Sequence, residues 1–248
     1  MRTFHWILLF VGFGLIGLQP VHAQTSPEAP AIRPQGSIHF VLGVPQGDFR
    51  DNVDDLGFGL DFFGGLGFGQ SPLVVGLDLG FLVYGREVRN EPFSGTIPDV
   101  RVDVETTNNI LKSHVVLRIQ PPSGTIRPYL DGLFGLKYLF TQTRIENEGF
   151  GDQEPIAQST NFDDVALSYG VGAGIAVELY RPRRTNQDGE PNPLEALELK
   201  LGAQYLFGGE ADYLREGSIR RQNGNVTFDV TRSRTTLLVP QLGLSLRF

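Results

Sequence analysis

The sequence predicts an all-β fold, an eight-stranded antiparallel up-and-down transmembrane β-barrel. Three observations predict it. Apolar residues recur at every second position in eight separate segments, the period of a strand that shows different chemistry to its two sides. The connections between these segments alternate between long and mostly short, as in a meander whose two ends lie on the short-turn side. One side of every segment is bulky and almost uncharged, while the other is rich in glycine and carries the charges.

Taken in order, the first strand is Gly36 to Val44, with Ile38, Phe40, Leu42 and Val44 on one side. A loop from Pro45 to Asp54 leads to the second, Leu56 to Phe68, where Leu56, Phe58, Leu60, Phe62, Leu66 and Phe68 oppose glycines and Asp61. Gln70-Ser71-Pro72 is a tight turn. Leu73 to Tyr84 is the third strand, and Gly85 to Val104 reads as a long polar loop. The fourth, Thr106 to Ile119, sets Leu111, Val115 and Leu117 against Lys112, His114 and Arg118. After a turn at Pro121 to Gly124, the fifth strand, Arg127 to Thr141, sets Leu130, Phe134 and Tyr138 against Asp131 and Lys137. Gln142 to Asp164 reads as a second long loop. The sixth, Val165 to Tyr180, has Glu178 among small inward residues, and Arg181 to Glu195 is a polar connection. The seventh, Leu197 to Phe207, alternates most clearly, with Glu198 and Lys200 opposite Leu199 and Leu201; a helix would scatter Leu199 onto the wrong side. Gly208 to Arg234 is the longest connection, and Asn223-Gly224 within Ser218 to Val230 signals a hairpin standing above the sheet. The last strand runs to Phe248, with Leu238, Pro240, Leu242, Leu244, Leu246 and Phe248 on its apolar side.

Alternation alone does not say which side is buried, because a soluble barrel turns its apolar side inward. Here the glycine-rich side suits the narrow interior of eight strands. The bulky uncharged side suits lipid, which offers polar groups no partners. Tyr138, Tyr169 and Tyr205 fall near strand ends on that outer side, where interfacial aromatics belong. The single tryptophan, Trp6, precedes all strands, so the girdle is Tyr and Phe.

The rest of the chain bounds the function. The net charge of −7 argues against a nucleic-acid partner. There is no cysteine, hence no disulfide framework or thiolate metal site. Residues 1–23 read as a signal peptide: Arg2, an apolar run from Ile7 to Leu18, and small residues before a cleavage point after Ala23. Residues 24–35 are a Pro-rich flexible leader, and 36–248 the barrel domain.

The phrases Arg127-Pro128-Tyr129-Leu130-Asp131-Gly132, Leu167-Ser168-Tyr169-Gly170-Val171-Gly172-Ala173-Gly174 and Tyr205-Leu206-Phe207-Gly208-Gly209, with the terminal Leu246-x-Phe248, resemble the small eight-stranded bacterial outer-membrane barrels, the OmpA transmembrane domain and OmpX among them. The resemblance covers about Gly36 to Phe248. It implies an integral outer-membrane location, contact with outer-membrane lipid and lipopolysaccharide, a monomeric state, and a terminal signal read by the barrel-assembly machinery. On this chain that signal falls on Gln241, Gly243, Leu246 and Phe248. The family includes tethers, adhesins, small pores and a few lipid-modifying enzymes, so the fold leaves the function open.

The inward side carries five charges of each sign: Asp61, Asp78, Asp131, Glu178 and Glu198 against Lys112, Arg118, Lys137, Lys200 and Arg247. Buried charges need partners, so this balance predicts internal ion pairs rather than a pore wall of one sign. Asp61 and Asp78 should share Lys112, with Lys137 higher, and a second layer should join Glu178, Glu198, Lys200, Arg118 and Arg247. His114 belongs to the same polar network. Catalysis has little to work with. His39 and His114 are the histidines beyond the signal peptide, and Ser113 and His114 point to opposite sides. Ser37 and His39 superficially resemble the His-x-Ser pair of outer-membrane lipid A deacylases, in reversed order and at the short-turn end. No spacing reads as a metal site, and no cofactor is implied. Arg183-Arg184 and Arg220-Arg221 read as solvated turns or as contacts to headgroup and lipopolysaccharide phosphates. The expectation is a non-enzymatic outer-membrane protein with a structural or surface-interaction role; the alternatives are a narrow, low-conductance channel and, more remotely, a lipid-modifying enzyme.

Overall fold

The computed structural model describes residues 32–94, 97–147, 157–183, 185, 192–222 and 225–248. The signal peptide, most of the leader, Arg184 and the Asn223-Gly224 turn lie outside them. The strands are β1 (Ile32–Pro45), β2 (Gly57–Phe68), β3 (Leu73–Ser94), β4 (Ile97–Ile119), β5 (Ile126–Asn147), β6 (Ala157–Tyr180), β7 (Ala196–Gly208), β8 (Glu210–Gln222), β9 (Asn225–Arg234) and β10 (Leu237–Arg247). A short 3₁₀ turn, Gly47–Phe49, lies between β1 and β2.

Eight strands close into an antiparallel barrel in the order β1-β10-β7-β6-β5-β4-β3-β2. Closure is made by β1, whose Phe40 lies opposite Leu60 of β2 and Leu242 of β10. It leaves no unpaired edge within the ring, which a lipid-immersed sheet requires. β8 and β9 form a separate two-stranded hairpin. The outer wall is apolar all round: Phe40 is 74% exposed, Phe134 60% and Val171 61%. Such exposure of large apolar groups is stable only against lipid. Tyr138 stacks on Phe140 and Tyr169 on Phe207, an aromatic cluster on the side of the long connections.

Inward glycines set how closely the strands and their side chains approach. A Cβ on Gly80 would fall on Asp61 Oδ1 and crowd the Lys112 side chain. One on Gly243 would strike the Ile38 carbonyl and the His39 ring.

Three sequence expectations are corrected. β1 begins at Ile32, inside the expected leader, because Arg33 is tied to the Pro122 and Ser71 carbonyls and Ile32 pairs with Phe68. The expected loops Gly85 to Val104 and Gln142 to Asp164 are largely strand, since β3 to β6 are 22 to 24 residues long. Apart from Val100, Val102 and Val104 of β4, their upper parts lack apolar alternation, and polar pairs bond across the strands: Arg86 with Glu105 at 2.6 Å, Asn90 with Asp103 at 3.0 Å, Thr106 with Thr143 at 3.1 Å. The hairpin, too, is longer than expected, taking in most of Gly208 to Arg234.

Candidate functional site

The barrel interior is built in layers, and its middle layer centres on Lys112. Its Nζ lies 2.6 Å from Asp61 Oδ2 and 2.7 Å from Asp78 Oδ1, and donates to Gln204 Oε1 at 3.0 Å. Gln204 Nε2 in turn donates to Asp78 Oδ2 at 3.1 Å. Lys112 and Asp61 are 0% exposed, so this is a sealed, charge-assisted network rather than a wet wall. The site requires β2, β3, β4 and β7 at one height, and the inward parity of each strand provides it.

Lys137 is not placed one step above Lys112; the two are cross-strand partners in register. Their ammonium groups separate because Lys137 Nζ donates to the Thr235 carbonyl. Nearer the short turns, Arg118 grips Asp131 through Nε at 2.7 Å and Nη2 at 2.8 Å, with its guanidinium 4.1 Å from the Phe63 ring centre. The expected second layer is rearranged. Glu198 is held by Arg127, whose Nη2 donates at 2.5 Å, and not by Lys200. Lys200 donates weakly to Ser37 Oγ at 3.4 Å and lies 5.2 Å from the Phe63 ring centre. Glu178 sits at the rim rather than in the sealed interior, bonded to Arg181 at 2.6 Å and 3.8 Å from Arg247. Glu178 stands directly opposite Glu198, and two carboxylates in register repel, so Glu178 turns to Arg181 at the rim.

Arg127 and Gln204 are members of the network that sequence reasoning did not place there. Extending the alternation of Asp131 and Tyr129 back two residues would have found Arg127. Ser168 is another: its Oγ lies 2.9 Å from His114 Nε2. Its signal was being the sole polar inward residue of a run of Ala and Gly in β6. Ser168, His114 and Asp78 together have the residue types of a hydrolytic triad, but not its geometry. His114 Nδ1 is 4.0 Å from Asp78 Oδ1, beyond hydrogen-bond reach, and that oxygen already accepts from Lys112. Ser168 is 0% exposed, so no substrate reaches it. Ser37 and His39 do not pair either; both ring nitrogens of His39 are buried without a partner.

Above the charges the interior changes character. Leu82, Ile110, Leu139, Leu206, Leu237 and Val239 close it with apolar side chains. Phe49 of the 3₁₀ turn is 0% exposed and seats against Tyr84 at 5.6 Å and Tyr213 of β8 at 5.2 Å between ring centres. This lid was not anticipated; only Phe49, an aromatic among the polar residues of its loop, hinted at it.

In the terminal strand, Gln241 and Gly243 face inward, while Leu246 and Phe248 lie on the outer wall, 41% and 42% exposed. The Phe248 amide donates to the Pro34 carbonyl at 2.9 Å, tying the last residue to β1.

No protein-family model and no curated protein sequence matches the chain. Among the solved structures to which it is similar are the following three. One is Neisserial surface protein A, with a TM-score of 0.36 and 11% identity over 87% of this chain and 95% of that one. The second is a major outer membrane protein of Thermus thermophilus, with a TM-score of 0.37 and 15% identity over 87% and 99%. The third is the Yersinia pestis outer membrane protein Ail in a phospholipid bilayer nanodisc, with a TM-score of 0.30 and 12% identity over 87% and 99%. The assignment of this chain to the transmembrane β-barrel class rests on its own closed sheet and apolar outer wall.

Proposed function

We propose that the protein is a non-enzymatic integral protein of a bacterial outer membrane, a sealed barrel whose work is done by what it displays outside the bilayer. The observation that supports this most is the interior. At the centre Lys112 is shared by Asp61 and Asp78, and an apolar lid closes one end. A conducting wall needs water beside its charges. A hydrolase needs a nucleophile within reach of substrate. The outer wall suits lipid hydrocarbon, and lipopolysaccharide is the natural neighbour of the long-connection side. The barrel-assembly machinery would read the terminal strand, and the protein acts as a monomer.

Two measurements test this reading. Purified protein refolded in detergent should migrate faster on a gel before boiling than after. In planar bilayers the folded protein should give no steady unitary current. Steady conductance would replace the sealed-barrel reading with the channel one, and a soluble folded monomer in buffer alone would remove the membrane assignment.

A further inference from the structure

Between the lid and the hairpin lies a cavity of about 500 Å³, on the side of the long connections. This volume is in the range of small-molecule sites. Its charged lining comes from separate elements: Asp54 and Asp55 from the β1–β2 loop, and Arg215, Glu216 and Asp229 from the hairpin. Glu87 of β3 adjoins it, accepting from the Gly217 amide at 3.3 Å. Arg215 stands 3.8 Å from Asp229 and Arg89 2.5 Å from Glu87, so two of these carboxylates are offset and Asp54, Asp55 and Glu216 are left in excess. At the base, Tyr84 is 4% exposed and lines the same cavity, and its buried hydroxyl has no hydrogen-bond partner. A buried phenol left unpaired costs free energy, so the oxygen marks a place where a ligand would be bonded.

We propose that this mouth binds a small organic polycation, an aliphatic polyamine, with one ammonium among the carboxylates and another directed at the Tyr84 oxygen. The proposal deepens the display reading above by naming what the displayed surface takes. A bare metal ion fits less well. Among the described residues no three acidic or histidine side chains converge to hold one, and the cavity is far larger than an ion. An extended amine instead satisfies carboxylates that stand apart from one another. Crowding points the same way: loss of hydration, then the charges of Asp55 and Glu87, raise the Glu216 carboxyl above its ordinary range. A bound cation would favour its ionised form, so binding should release protons and weaken as the solution is made acidic.

The test is calorimetric titration of spermidine into the full protein folded in neutral detergent at low ionic strength. Saturable binding of about one ligand per barrel is expected, weakened by salt. Asp55→Asn with Glu216→Gln should abolish it. Tyr84→Phe should weaken it roughly tenfold, the loss of one hydrogen bond to a charged group. Heat-shifted gel mobility of each variant shows that it has folded. No saturable heat, undiminished binding by both variants, or binding of magnesium in place of spermidine would overturn the proposal. Bilayer conductance does not depend on this site, so failure here leaves the sealed barrel standing, and the reverse also holds.

Discussion

Lys112 is the residue on which the interior turns. It is the shared partner of two carboxylates that would otherwise repel each other at close range in a dry space. Removing one member of such a group leaves the rest charged and unpaired, which costs more than the group contributes when whole. Lys112→Met should therefore destabilise the folded barrel by roughly 3 kcal/mol while leaving the lipid-facing wall unchanged. The measurement is the urea midpoint of folded protein in detergent. A wild-type midpoint for the variant would mean that water already screens Asp61 and Asp78, and that the interior is wet.

At the scale of elements, the lid decides access. Phe49 anchors a loop whose only regular structure is one 3₁₀ turn, closed by bonds such as Val53 amide to Phe49 carbonyl at 2.9 Å. Without the ring, the loop loses its seat against Tyr84 and Tyr213 and should open often. Trypsin cleavage after the exposed Arg50 should then accelerate by at least roughly tenfold in Phe49→Ala. An unchanged rate would mean that the loop is held by its backbone alone. The strands within the bilayer were legible in the sequence because lipid enforces a strict two-residue period on them. The upper halves of β3 to β6 were not, since Arg86, Glu87, Arg89 and Asn90 carry no alternation and the buried Val102 and Val104 of β4 stand among charged residues. The site was half legible for a similar reason. Parity shows which charges face inward, but the partner of Glu198 depends on how far each strand slides past the next, and that choice of Arg127 over Lys200 lies in the register.

For the whole molecule, the terminal strand ties the end of the chain to the first strand of the ring. Phe248 is bonded through its amide to Pro34 of β1, so the residue that completes the outer wall also helps close the ring. Deleting it should lower the amount of barrel in the outer membrane and increase degradation in the periplasm. Surface levels equal to wild type, measured by fractionation, would show that Gln241, Gly243 and Leu246 suffice for assembly.

The unequal strand lengths have a kinetic consequence. β2 pairs with β3 only as far as Phe58 and Val83, and β7 with β6 only as far as Gly208 and Ser168. Above those points the ring becomes a four-stranded sheet in which β4 and β5 are flanked on both sides, while β3 and β6 each lose a ladder neighbour. Amide deuteration should follow that division. Thr106 and Thr143, in the inner two strands, should hold their protons far longer than the outward-directed amides of Tyr84 to Val88, although all stand well clear of the lipid. Uniform exchange across that sheet would mean that it breathes as one piece, hinged where the ring ends.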